Sequence, residues 1–137
     1  MWIASKLGWF SVVVDLQRPV RMLIRARARA DIFNLFNANQ DLPSIERPTS
    51  DESRDYRWRM SIGKTDWVQL AARLAQAVDY SNFKNAVHDQ PDQGNKGRAY
   101  LSIWHVMHEI QLAEEPTKPP KAKRARRRKK ARKDGIT

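Results

Sequence analysis

The sequence predicts an α+β domain, an antiparallel sheet of four or five strands covered on one face by helices, and three stretches predict it. In RMLIRARARADIFNLF, Arg21 to Phe36, period-two alternation gives way to helical spacing within one continuous run. The same succession repeats between Tyr56 and Val78, and both are preceded by two apolar runs around a glycine, WIAS and WFSVVVD. Strand side chains alternate between faces and helical ones recur every three to four residues, so a strand that turns abruptly into a helix implies a helix folded back over its own sheet.

Trp2–Ser5 and Trp9–Asp15 read as strands joined by Lys6-Leu7-Gly8, a turn that glycine enters with φ > 0. Arg18-Pro19 turns the chain into the next strand, because proline cannot donate to a ladder, and the first half reads as an antiparallel meander. Along that strand Met22, Ile24, Ala26 and Ala28 point one way, and Arg21, Arg25, Arg27 and Arg29 the other. Asp31 serves as an N-cap or first-turn acid for a helix whose apolar stripe is Ile32, Leu35 and Phe36. NANQDLP is a loop, Ser44–Arg47 a short edge strand ending at Pro48, and PTSDESRD a polar, mobile connection. In the next strand Tyr56, Trp58, Met60 and Ile62 face one way, and Arg57, Arg59 and Ser61 the other. Thr65 caps a helix with Asp66 in its first turn, and Trp67, Leu70, Ala71, Leu74 and Val78 form its inward stripe. Ser81 starts a shorter helix ending near His88, and PDQGNKG breaks it. Arg98–Gln111 is a last helix with Tyr100, Ile103, Trp104, Met107 and Ile110 on one face. The tryptophans at 2, 9, 58, 67 and 104 are expected mostly in the core, any left exposed marking a protein-binding patch.

With 137 residues and 41% hydrophobic content, the chain suits one domain with a substantial core. Its formal charge of +11 is unevenly spread. Eleven of the 26 Lys and Arg lie between Lys118 and Lys133, with Asp134 the one acid in residues 118–137, so this segment carries +10. Residues 1–117 balance 15 bases against 14 acids. The chain divides accordingly into a folded domain, residues 1–112, and a basic tail, residues 113–137. The absence of cysteine excludes disulfides, thiolate nucleophiles and Cys-ligated metal sites. No apolar run reaches about 18 residues, and MWIASKLGWFSVVV is broken by Lys6 and Gly8, so neither a membrane span nor a signal peptide is read there. A soluble, cytoplasmic protein is expected.

WIASKLGWFSVV, RARARAD, DYSNFKNAV and AYLSIWHVMHEIQL together resemble a family of small uncharacterised proteins of bacteria and their phages or mobile elements. Its members read W, five residues, G, an aromatic pair and S-V-V; then R-A-R-x-R-x-D; then D-Y-x-N-F-K-x-x-V; then A-Y-x-x-I/V-W. The resemblance covers roughly residues 1–112 and implies a shared fold, with no established activity. The basic tail lies outside it.

The tail, KPPKAKRARRRKKARK, is the strongest functional signal. So dense a polycation cannot offset its ordering entropy by burial and is expected to be disordered until it meets a polyanion. Lys121, Lys123, Arg124, Arg126, Arg127, Arg128, Lys129, Lys130, Arg132 and Lys133 are the candidate contacts to DNA or RNA phosphates, which position a protein without reading sequence. Competing readings of the tail are an import signal, attachment to an anionic membrane surface without insertion, and a solubilising extension. A second candidate site lies on the sheet. If the strands at 21–29 and 56–62 are neighbours, Arg25, Arg27, Arg57 and Arg59 form a cationic patch interleaved with Trp or Tyr, a platform for stacked bases. The competing reading pairs these arginines with Asp51, Glu52 and Asp55. His105, His108 and Glu109 have a spacing that can hold a metal, but an exposed helix face explains them as well. No catalytic motif stands out, and neither an enzyme nor a cofactor is expected. Two functions follow: a non-enzymatic nucleic-acid-associated accessory protein, or a protein-interaction module that binds a host protein through exposed aromatics.

Overall fold

The alternation of Val12, Ile24 and Met60 becomes a single apolar row across three strands in the computed structural model, which describes residues 1–114. The sheet is built from β1 (Trp2–Ser5), β2 (Gly8–Val14), β3 (Arg21–Ala26), β4 (Thr49–Ser50) and β5 (Trp58–Gly63). The strands lie in the order β1-β2-β3-β5-β4, every neighbouring pair antiparallel. Parallel rows from Met22 to Ile62 and from Ala26 to Trp58 put the apolar residues on one side. Two helices cover that side: α1 (Arg29–Ala38) contributes Ile32 and Leu35, and α2 (Lys64–Gln76) contributes Trp67 and Leu70. Burying such aliphatic and aromatic side chains is worth about 1.5–3 kcal/mol each, which makes this layer the stability core. Two further helices, α3 (Phe83–His88) and α4 (Gly97–Glu114), follow α2, with a 3-10 turn at Gly94–Lys96 between them.

Several local expectations are corrected. β3 ends at Ala26, so Arg27 and Arg29 do not continue the strand; Arg29 opens α1 and lies over the Phe33 ring at 4.4 Å. Asp31 sits in the first turn of α1, after an N-cap at Ala28. Ser44–Arg47 is not a strand, although the Glu46 N–H donates to the Ser61 carbonyl at 2.9 Å. The edge strand is Thr49–Ser50, directly after Pro48, inside the segment expected to be mobile; Asp51 secures the turn behind it by accepting from the Ser53 N–H and hydroxyl. Tyr56 precedes β5 and packs on the arginine side. Gly63, not Thr65, occupies the N-cap of α2, and Asn82, not Ser81, caps α3 by accepting from the Asn85 N–H at 3.1 Å. Val78 lies beyond the end of α2 and is exposed. Of the five residues aligned on α4 only Tyr100 is buried. Of the tryptophans only Trp67 is buried, while Trp2 and Trp104 are exposed.

Surface carboxylates tie the loops to this frame. Asp66 accepts from the Ser44 hydroxyl and N–H, Asp41 from Arg73, and Glu46 from Arg18, and these bonds hold all three carboxyls below the ordinary carboxylate range. The folded state therefore binds fewer protons than the unfolded chain. The stabilisation is complete above the unfolded values, about 4, and is lost as pH falls through the lower folded values. The urea midpoint should be flat from about pH 7 to 5 and drop below about pH 4. Asp66→Asn should make that drop shallower, and an unchanged acid limb would contradict the assignment.

Candidate nucleic-acid interface

The side of the sheet opposite the core carries a second row, and its register is complete across all five strands: Trp2, Ser11, Arg25, Arg59 and Thr49. Alternation placed Arg25 and Arg59 on this side, and the antiparallel pairing of β3 with β5 sets them directly opposite each other. Like charges at opposed positions repel, yet neither guanidinium forms an ion pair among the described residues. Arg25 donates one bond to the Ser11 hydroxyl at 2.8 Å and stacks over Tyr56 with its guanidinium carbon 4.7 Å from the ring centre. The Nε groups of Arg25 and Arg59 are buried without a hydrogen-bond partner among the described residues. Both arginines line a groove of about 420 Å³ with Arg47 and with Arg18 and its partners Asp15 and Glu46.

The other two sheet arginines are placed differently. Arg57 precedes β5 and pairs with Glu52, the loop acid that the competing reading assigned to it. Arg27 donates to the Asp55 carbonyl at 2.9 Å and covers the other part of Tyr56 at 4.2 Å. The patch therefore consists of Arg25 and Arg27 over one tyrosine, with Arg59 opposite Arg25. The tail candidates, Lys121 to Lys133, lie outside the described residues.

Tyr56 also joins the arginine row to a cleft of about 460 Å³ lined by Trp2, Trp9, Arg27, Tyr100 and Ile103, among others. The Trp2 and Trp9 ring centres are 5.9 Å apart, and those of Trp9 and Tyr100 6.0 Å, so the wall is nearly continuous aromatic surface. The Tyr100 hydroxyl has no hydrogen-bond partner among the described residues, and burial together with the nearby Asp31 charge pushes its pKa up to about 12. Behind this wall lies a polar node that the residue pattern did not reveal. Asp31, 1% exposed, accepts from the Trp9 N–H at 3.0 Å, Gln93 Nε2 at 3.0 Å and Lys96 Nζ at 2.6 Å. Gly8, at φ +153°, lets the start of β2 pass against that carboxylate. Trp2, Gly8 and Trp9, Arg27 and Asp31, and Tyr100 come from three of the four segments that carried the family resemblance. The fourth docks nearby: Asp79 pairs with Lys6, and the Phe83 ring lies 5.1 Å from Tyr100.

His105 and His108 flank Trp104, with ring centres 5.1 and 5.0 Å away. No group of three metal-ligating side chains gathers among the described residues, and no helix among them is long and apolar enough to cross a membrane. No protein-family description, curated protein or solved structure matches the chain.

Proposed function

We propose that the protein is a non-enzymatic, cytoplasmic, nucleic-acid-associated accessory protein, whose basic tail grips DNA or RNA phosphates without reading sequence. In this reading the folded domain adds a second contact. The observation that carries it is the opposed pair Arg25 and Arg59, two guanidinium groups with no carboxylate partner among the described residues. A phosphate over the two guanidinium groups relieves their like-charge repulsion through charge-assisted bonds. The aromatic cleft beside them suits an unpaired base of the same strand, because stacking on Trp and Tyr is tolerant of base identity and worth about 1–3 kcal/mol per base. Single strands are therefore preferred over duplex.

Fluorescence anisotropy with labelled single-stranded DNA, single-stranded RNA and duplex DNA tests both contacts. If the tail neutralises about six phosphates, the log–log salt slope is roughly −5, and truncation after Pro116 should flatten it sharply. Arg25→Ala with Arg59→Ala should weaken single-strand binding about tenfold at a salt concentration where the tail is screened, and leave duplex binding unchanged. Full affinity in the truncated protein overturns the tail's role; full single-strand affinity in the double variant overturns the row's. A second reading, a protein-interaction module, is favoured by the exposure of Trp2 and Trp104. A salt-insensitive protein partner that is lost on Trp2→Ala, together with no nucleic-acid binding at any salt concentration, would select it.

A further inference from the structure

α4 is the one long helix of the domain that the rest of the described chain leaves largely bare. Its 18 residues span about 27 Å, Tyr100 alone is buried, and Ile103, Val106, Met107 and Ile110 are 41–59% exposed. Ile103, Met107 and Ile110 follow Tyr100 at intervals of three, four and three, the spacing of a coiled-coil seam, and Val106 widens it. Leu101, Trp104 and Leu112, 42–52% exposed, broaden it further, and the three-four-three spacing of its centre matches another helix. Residues 115–137 contain a single large apolar side chain, Ile136, and bring too little apolar surface to cover it.

From this we infer that α4 pairs antiparallel with α4 of a second copy of this chain, about a two-fold axis crossing between Val106 and Met107. The seam is self-complementary in that arrangement, as an isologous contact requires: Ile103 of one copy meets Ile110 of the other, and Val106 meets Met107. The charges agree. Arg98 marks the start of the helix and Glu109 and Glu114 its end, so antiparallel packing brings base toward acid and opposes the helix dipoles, whereas parallel packing stacks like on like. Parallel packing would also begin both +10 segments at the same end. The antiparallel pair instead places residue 114 of one copy, the end of α4, beside Ala99 and Ile103 of the other, which line the aromatic cleft. Each tail then starts next to the other copy's candidate base site, and two grips on one strand raise affinity through effective concentration.

The full chain, freed of nucleic acid by nuclease and high salt, is examined by sedimentation equilibrium, expecting twice the protomer mass. Met107→Glu with Ile110→Glu changes only exposed positions, so far-UV circular dichroism should be preserved while the mass halves. The chain has no cysteine, so single cysteines report the orientation. Under mild oxidation Met107→Cys should cross-link and Ile103→Cys should not, since its counterpart lies several residues along the helix. A monomer at every concentration overturns the inference, as does a monomer that co-sediments with phosphatidylserine vesicles until Met107 and Ile110 are changed, which would make a lipid surface the occupant. Cross-linking through Ile103→Cys as efficiently as through Met107→Cys overturns the antiparallel arrangement.

Discussion

Replacing Asp31 with alanine should cost about 3–5 kcal/mol, because it strands a buried ammonium without its counter-charge. The Lys96 side chain is 11% exposed and its ion pair is with Asp31; the same substitution removes the acceptor of the Trp9 N–H and of Gln93 Nε2. Against a typical total of roughly 5–15 kcal/mol, this is enough to leave the domain partly unfolded at 37 °C. Urea denaturation followed by tryptophan fluorescence measures it. In the Asp31→Ala background Lys96→Met removes the stranded ammonium, so the double variant should lose less than the two single losses added together. A loss below about 1 kcal/mol for Asp31→Ala would show that the node is not a structural centre.

Gly8→Ala should be comparably severe, for a different reason. A Cβ there would lie 2.4 Å from both Cβ and Cγ of Asp31 and 2.8 Å from Oδ2, and φ is +153°, where L side chains are strained. Strain and overpacking together amount to about 3–5 kcal/mol. Relief is not available by moving Asp31, which is fixed by three donors. Gly94→Ala is the matched control: its Cβ meets nothing within 4 Å, and its effect should stay within about 0.5 kcal/mol. Equal melting temperatures for the two variants would refute the close approach.

Most of the fold was legible because it depends on local periodicity. The alternation of Val12, Ile24 and Met60 and the stripe of Trp67 and Leu70 specify their own faces, and one helical layer over one sheet follows from them. The errors arose where nearby alternatives competed. Gly63 took the cap from Thr65 and Asn82 from Ser81, each a shift of two residues or fewer. Tyr56 carries the right parity for the core, but it precedes β5 and is drawn to the arginines. α4 has the pattern of a buried helix, and periodicity cannot say whether its cover comes from the same chain. The site was half readable for the same reason. Arg25 and Arg59 could be placed on one side of the sheet from alternation, and only the order of strands makes them neighbours. Trp2, Trp9 and Tyr100 meet across nearly the whole chain, and Asp31 finds Lys96 sixty-five residues away, a pairing with no local signature.

The Asp31 node also sets a timetable for synthesis. All five strands and both covering helices are encoded before residue 77, so the sheet can assemble while the rest of the chain is still within the ribosome. Until Gln93 and Lys96 emerge, the Asp31 carboxylate has only the Trp9 N–H of its three native donors. Vectorial folding therefore builds the sheet and its two covering helices before the node that completes them.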